Sequence, residues 1–457
     1  MKYLGIEFEV KDLPELDPGF IPFEPWLRAY LREADRPVAL AVERQGGRCS
    51  VVRGHIRGEA FAEANYRYIE RLMKFMLWCF GGYRVSVAGC DELVSRLQEE
   101  YRLGGVRSFD ADFVQDVYER ELVITACREE ALPPEREEGD AIGGHRAGCR
   151  IGFDAGGSDR KVSAVIDGDT VYSEEVVWFP KTMDDPDYHY EGILEAFRTA
   201  ASKMPRVDAI GVSTAGVVID NRPMVSSLFI KVPRSRRDEV KSVYLRAATQ
   251  LGGVPLAVAN DGDVTALAGA MSLGSGAVLG IAMGTSEAAG YISPQGKVMG
   301  WLNELAFAPV DLSGEAMEDE WSRDFGVGCK YFSQDAVIKL APAAGIELDP
   351  ALSPAEKLKA VQALAESGDS GALRIFASIG VYLGHSVALY SRFYDIRYIL
   401  VLGRVASGRG GELIVGECRR VLAEEYPELA SSLTVTLPDE KTRRVGQSVA
   451  AASLPEI

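Results

Sequence analysis

Residues 151–161 read IGFDAGGSDRK and residues 256–270 read LAVANDGDVTALAGA. Each is a short apolar run ending in a carboxylate. In the first, the run delivers Asp154 to a turn built from Gly156 and Gly157, followed by Ser158 and then Lys161. Glycines let the backbone approach a phosphate closely, with N–H groups aimed at its oxygens. Ser158 adds a hydroxyl donor and Lys161 a cation. A carboxylate among phosphates makes sense once a divalent cation is supposed, and Asp154 is placed to hold Mg2+ through water. In the second stretch, a buried strand ends in Asn260-Asp261 and a helix of small residues follows. Carboxyl ends of strands are where α/β sheets carry their sites. Asp261 is a candidate base for an alcohol that attacks phosphorus, or else the N-cap of the helix from Val264.

Working outward, residues 278–290 read VLGIAMGTSEAAG, a strand feeding the turn Gly284-Thr285-Ser286. This second small-residue turn also suits phosphates. Glu287, next to it, would repel them unless it points away or meets the metal. Residues 398–408 read YILVLGRVASG, a buried strand opening into Gly403 and Gly408 that can receive an adenosine. Between these motifs, helix-period segments at 190–203, 238–251 and 264–271 alternate with strands at 149–166, 209–213, 256–259 and 277–283. That alternation predicts an α/β fold with a mixed or parallel sheet covered on its faces.

Residues 128–148, REEALPPEREEGDAIGGHRAG, are charged and broken by Pro and Gly pairs, and read as a linker. Before it, 38–42 and 49–56 predict a hairpin, 61–80 a helix stopped by Gly81-Gly82, 83–88 a strand, and Asp91 the cap of a further helix. The expected domains thus begin with an α/β unit over 1–127 and the linker.

With 457 residues the chain is long enough for two or three compact units. Its net charge of −17 repels phosphate-rich surfaces, so neither nucleic acid nor membrane is expected as a partner. The 7 cysteines show no CxxC spacing, which predicts free thiols in a reducing cytoplasm. No basic-then-apolar leader is seen, and no apolar segment is read as long enough to span a bilayer.

Together these motifs resemble the bacterial ROK family of sugar kinases and sugar-responsive repressors, in the hexokinase/actin-like ATPase superfamily. The resemblance covers about two thirds of the chain, from near Gly152 onward. It implies an actin-like, ribonuclease H-like two-lobed fold preceded by a small α/β domain, with a first lobe over 149–268 joined by a closing helix at 440–457 and a second lobe over 269–439. Residues 154–158 with Lys161 are similar to the first phosphate motif. Residues 210–216, IGVSTAG, resemble the wall of the sugar site, which assigns Gly216 to sugar binding. Asn260 and Asp261 fall on the sugar-binding Asn and the catalytic Asp. Residues 303–307, NELAF, resemble the stretch that supplies a sugar-binding Glu, here Glu304, and then a zinc-ligand His. Leu402-Gly403 with Ser407 matches the adenosine segment, and 444–452, RVGQSVAAA, the closing helix.

The departures are equally specific. Phe307 stands where the family has its His, and of the family's cysteine cluster only Cys329 remains, followed by Lys330-Tyr331. One thiol cannot build a tetrahedral site, so no structural zinc is expected. A sugar site that loses hydroxyl-reading groups discriminates against its former substrate, so the acceptor need not be glucose. Arg404 replaces a usual Gly near the adenosine. The resemblance implies an ATP-dependent, Mg2+-assisted sugar kinase that works as a homodimer. Two other functions remain open: a sugar sensor acting through a protein partner, and a phosphotransferase for a polyol.

Overall fold

In the computed structural model, residues 1–137, 143–438 and 446–457 are described. A four-stranded sheet is built from β1 (Arg36–Glu43), β2 (Cys49–Ile56), β3 (Arg84–Ala88) and β4 (Val123–Cys127), in the order β2-β1-β3-β4. β1 and β2 form the expected antiparallel hairpin, and β3 and β4 run parallel. Helix α1 (Ala62–Cys79) is buried along most of its length and gives way to Gly81 at φ +79°. Asp91 is the first residue of its helix; Cys90 holds the cap position without a side-chain hydrogen bond.

The second sheet is built from β5 (Cys149–Ala155), β6 (Asp159–Ile166), β7 (Asp169–Val177), β8 (Ala209–Thr214) and β9 (Leu256–Asn260), in the order β9-β8-β5-β6-β7. β5–β7 form an antiparallel meander, whereas β8 and β9 join parallel to β5. Helices α2 (Pro186–Ala201) and α3 (Asp261–Leu273) follow β7 and β9. The segment read as one helix over 238–251 is two short ones, Arg237–Lys241 and Val243–Thr249. The third sheet, of β10 (Val278–Met283), β11 (Glu287–Ile292), β12 (Tyr398–Leu402) and β13 (Thr434–Thr436), has the order β11-β10-β12-β13.

Two long helices, α4 (Ser370–Tyr390) and α5 (Gly408–Glu425), pack on each other. A Cβ at Gly380 would fall 2.7 Å from Ile414 O, and one at Gly384 2.6 Å from Val421 Cβ, so these glycines set the closeness of the pair. Contrary to the sequence reading, α4 is long and apolar enough to cross a membrane. Its most apolar stretch is 83% buried in the protein, which accounts for that composition.

The chain forms two compact units: Met1–Glu138 with Ile281–Ala289 and Trp301–Leu437, and Gly139–Gly280 with Gly290–Gly300 and Pro438–Ile457. The first 137 residues therefore share a unit with 301–437 rather than standing apart. The boundary falls inside the expected linker, of which 138–142 lie outside the described residues. Its preceding part is anchored: Arg136 exchanges backbone hydrogen bonds with Cys49 (2.9 and 3.0 Å), and Glu137 pairs with Arg44 at 2.6 Å.

In the first unit, α1 contributes Glu70, Arg71 and Lys74 to a buried network. Arg71 and Lys74 reach Asp324 at 2.8 and 2.9 Å, Lys74 reaches Asp110 at 3.0 Å, and Arg107 bridges Glu70 and Asp324. Three cations face three carboxylates, so each buried charge is compensated.

In the second unit, α6 (Gln447–Ala452) closes the sheet as the closing-helix resemblance implied; Arg444 and Val445 lie outside the described residues. α6 packs on β5 and β8. A Cβ at Gly152 would lie 1.7 Å from Ser448 O, and one at Gly211 1.7 Å from Ala451 O. Only glycine at both positions admits the helix backbone. Beneath, Phe153, Ile193, Phe197, Val212 and Tyr244 fill the core.

Candidate functional site

Parallel pairing sets the geometry of the candidate residues in the second unit. The register places Asp154 opposite Ser213, and Thr214 opposite Asn260, at the carboxyl ends of β5, β8 and β9. Asp261 follows as the first residue of α3. Gln447 of α6 ties these ends together: its Nε2 donates to Ser213 Oγ (3.1 Å) and to Asp261 O (3.0 Å). Below them the Tyr244 hydroxyl donates to Thr214 Oγ1 at 2.8 Å.

Asn260, not Asp261, caps α3. Its Oδ1 accepts from Gly262 N at 2.7 Å, while its Nδ2 donates to Gly216 O at 2.9 Å. Gly216 has φ +98°, and a Cβ there would lie 2.1 Å from Val225 O. Asn260 thus braces the Gly216 turn against the helix start. The helix begins three residues before Val264, which leaves the Asp261 side chain beside its own first turn, accepting from Gly262 N at 3.0 Å. Desolvation, then the charge of Asp154, push the Asp261 carboxyl up to about 6, against the Gly262 N–H and Lys181. Asp154 is also raised, first by burial, with Asp159 adding to it and the Ser213 hydroxyl and Lys161 opposing.

The Gly156–Ser158 turn is held by Trp178, whose Nε1 donates to Gly156 O (2.8 Å) and whose N donates to Ser158 O (3.1 Å). Ser158 is exposed and donates to Asp159 Oδ2 at 3.0 Å. Lys161 faces Glu175 at 3.5 Å and Asp159 at 3.8 Å, so strand neighbours hold the expected phosphate cation. A lysine that the sequence reading did not single out lies on the turn instead. A Cβ at Gly157 would be 2.6 Å from Lys181 Cε and 2.8 Å from its Nζ.

A divalent cation fits Asp154. Its carboxyl, raised by burial and by Asp159, would be stabilised in its ionised form by a cation beside it. Among the described residues no group of three or more His, Cys, Asp or Glu could hold a metal ion unaided. Mg2+ usually needs only one or two carboxylates together with substrate phosphates.

The first unit carries the other predicted residues in two places. One joins the turn of Gly284, Thr285 and Ser286 to the loop after β12. Val405 N donates to Met283 O at 3.0 Å, and Gly403, at φ +89°, would place a Cβ 2.3 Å from the same oxygen. Here Arg404 Nη2 donates to Thr285 Oγ1 at 2.8 Å. Ser407 Oγ donates to Arg404 O (2.5 Å) and accepts from Gln362 Nε2 (3.0 Å). Glu287 does point away from the turn: it is 4% exposed, and neither carboxyl oxygen has a hydrogen-bond partner. Burial, then the charge of Glu304, push it up to about 8. A Cβ at Gly328 would lie 2.2 Å from its Oε2, so that glycine makes room for it.

The other place is the Glu304 segment. Asn303 N and Glu304 N donate to Cys79 O and Trp78 O at the end of α1, at 3.0 and 2.9 Å. Phe307 packs on Trp78 and Phe109, with ring centroids 4.5 and 5.1 Å apart. The position of the family's zinc-ligand His is thus part of an aromatic cluster. Nearby, Cys329 donates to Asp319 at 3.5 Å, while buried Lys330 pairs with Glu320 (2.5 Å) and Asp335 (2.8 Å).

No protein-family profile matches the chain, and no curated protein matches it in sequence. Solved structures do. A ROK family transcriptional regulator, homolog of the E. coli MLC protein, superposes with a TM-score of 0.50 at 18% identity, covering 67% of this chain and 78% of its own. The ROK hexokinase from Thermus thermophilus gives 0.49 at 19% identity, over 67% of this chain and 97% of its own. The ROK family glucokinase from Streptomyces griseus, in complex with glucose and AMPPNP, gives 0.46 at 20%, with the same coverages. At these identities the likeness is one of fold: the mixed α/β, actin-like architecture that the sequence resemblance implied.

Proposed function

We propose that the chain is an ATP-dependent carbohydrate kinase in which Asp261 is the general base. The observation that carries this reading is the row at the strand ends: Asp154, Ser213, Asn260 and Asp261, beside the Gly156–Ser158 turn and tied together by Gln447. Asp261 takes the proton of a sugar hydroxyl as its oxygen attacks the γ-phosphorus and ADP leaves. A carboxyl raised to about 6 is ionised at neutral pH, yet more basic than an exposed aspartate. Asn260 holds the Gly216 turn and orients the sugar; Glu304, in the other unit, is a further sugar-binding candidate. Each unit carries a turn suited to phosphates, at Gly156 and at Gly284, and the loop at Gly403 and Ser407 suits an adenosine. Mg2+, held by Asp154 and the phosphates, would supply charge neutralisation at the transferring group.

The test is a coupled ADP-release assay over hexoses, amino sugars and polyols. One acceptor should give turnover, and Asp261→Asn should lower it by roughly a hundredfold to ten-thousandfold without lowering Tm. Full turnover in the variant would remove Asp261 from this role.

A second reading has its own observation. Arg404 occupies the Thr285 hydroxyl, and Gln362 with Arg404 engages Ser407, as in a nucleotide site closed to its ligand. A sugar sensor acting through a protein partner fits that arrangement. Calorimetric binding of a sugar without binding of AMPPNP would favour it.

A further inference from the structure

We infer that Lys181 is a phosphate-binding residue of the nucleotide site, its ammonium lying across Gly157 to meet the polyphosphate of a nucleoside triphosphate. The inference rests on the kinase reading and adds a ligand group that neither motif spacing nor the family resemblance supplied. Lys181 sits in a single 3-10 turn, Pro180–Thr182, directly after the residues that grip the phosphate turn. Trp178, three positions earlier, donates twice to the carbonyls of that turn. Phe179 N donates to the Tyr188 hydroxyl at 2.9 Å, and Thr182 closes the turn by donating from N and Oγ1 to Phe179 O. The backbone that carries Lys181 is therefore fixed to the turn it overlies.

The absence of a side chain at Gly157 is what lets the lysine lie there, since a Cβ would meet its Cε and Nζ. Lys161 is neutralised by Asp159 and Glu175, whereas no carboxylate among the described residues pairs with Lys181. Its positive charge opposes the upward shift of the Asp261 carboxyl, the proposed base. Within the turn, Asp159 is already engaged by the Ser158 hydroxyl and by Lys161. An unpaired cation over a glycine turn matches the charge of a phosphate chain.

The experiment is calorimetric titration of AMPPNP with Mg2+ into the full chain and into Lys181→Ala, Lys181→Arg and Lys161→Ala, with Tm measured for each. Lys181→Ala should weaken binding about tenfold to a hundredfold at unchanged Tm, as for a lost charged hydrogen bond. Lys181→Arg should restore most of it, and Lys161→Ala should change it less than about threefold, as for an exposed ion pair. Binding by the parent chain that is unaltered in Lys181→Ala overturns the role of Lys181 and leaves the kinase reading standing. No binding of AMPPNP by the parent chain overturns both.

Discussion

The two turns proposed to hold phosphates share a grammar and differ in what surrounds them. The one after β5 carries Gly156, Gly157 and an exposed Ser158, with Lys181 unpaired above it. The one after β10 has its Thr285 hydroxyl taken by Arg404, and the carboxyl that follows it, Glu287, buried without a partner. Both read in the sequence as small-residue turns suited to phosphates, the first of them glycine-rich. The difference teaches that a small-residue turn is only permission for a phosphate, and that neighbouring side chains decide whether the place is open.

The comparison breaks most visibly at Asp154. Asp154→Asn should cut turnover by about a hundredfold or more, as the cation's anchor is lost. The parent chain should lose kcat/KM as pH falls through about 6, where Asp261 takes up its proton. Without the Asp154 charge that limb should move to lower pH, because a raising influence on Asp261 is gone; an unmoved limb would mean another group sets it.

Glu287 is the next largest. Its folded-state carboxyl titrates near 8, against an ordinary value of 4.5. The unfolded chain gives up this proton first, so stability is full below about 4.5 and declines as pH rises to about 8. Glu287→Leu should remove that slope and raise stability at pH 8 by roughly 2–4 kcal/mol. Thermal melts of the two proteins from pH 5 to 9 would check this; parallel curves would mean that Glu287 is ionised in the folded chain.

Arg404 gives the smallest effect and sharpens the comparison. If it lends its charge to the second turn, Arg404→Ala weakens AMPPNP about tenfold. Tighter binding in the variant would instead show Arg404 closing the site, as the sensor reading requires.

Much of this site was legible because strands announce themselves. Asp154 and Asp261 each end an apolar run that can only be a buried strand, and the row they form follows from parallel pairing of β5, β8 and β9. The choice between Asn260 and Asp261 as helix cap was not legible, since both side chains suit the position. Only the Gly216 carbonyl, forty-four residues away in sequence, fixes Asn260 in that role. Lys181 carries no local signature: its place depends on Trp178 gripping a turn more than twenty residues earlier. Glu287 was seen beside a phosphate turn, but the direction of its side chain depends on the strand it begins and on the room left by Gly328. The affiliation of the first 137 residues was hidden for the same reason. It rests on long-range pairs such as Glu304 N to Trp78 O and on the charge network around Asp324.

The glycines at 152 and 211 have one more consequence. They leave β5 and β8 bare on the side that α6 covers, and α6 is made from residues 447–452. On the ribosome, the strands that bear Asp154 and Ser213 emerge long before the helix that seals them. The proposed catalytic row is therefore finished only when Gln447 arrives to bond Ser213 and Asp261. A nascent chain holding every other site residue is still without its keystone, which couples competence for chemistry to the emergence of α6.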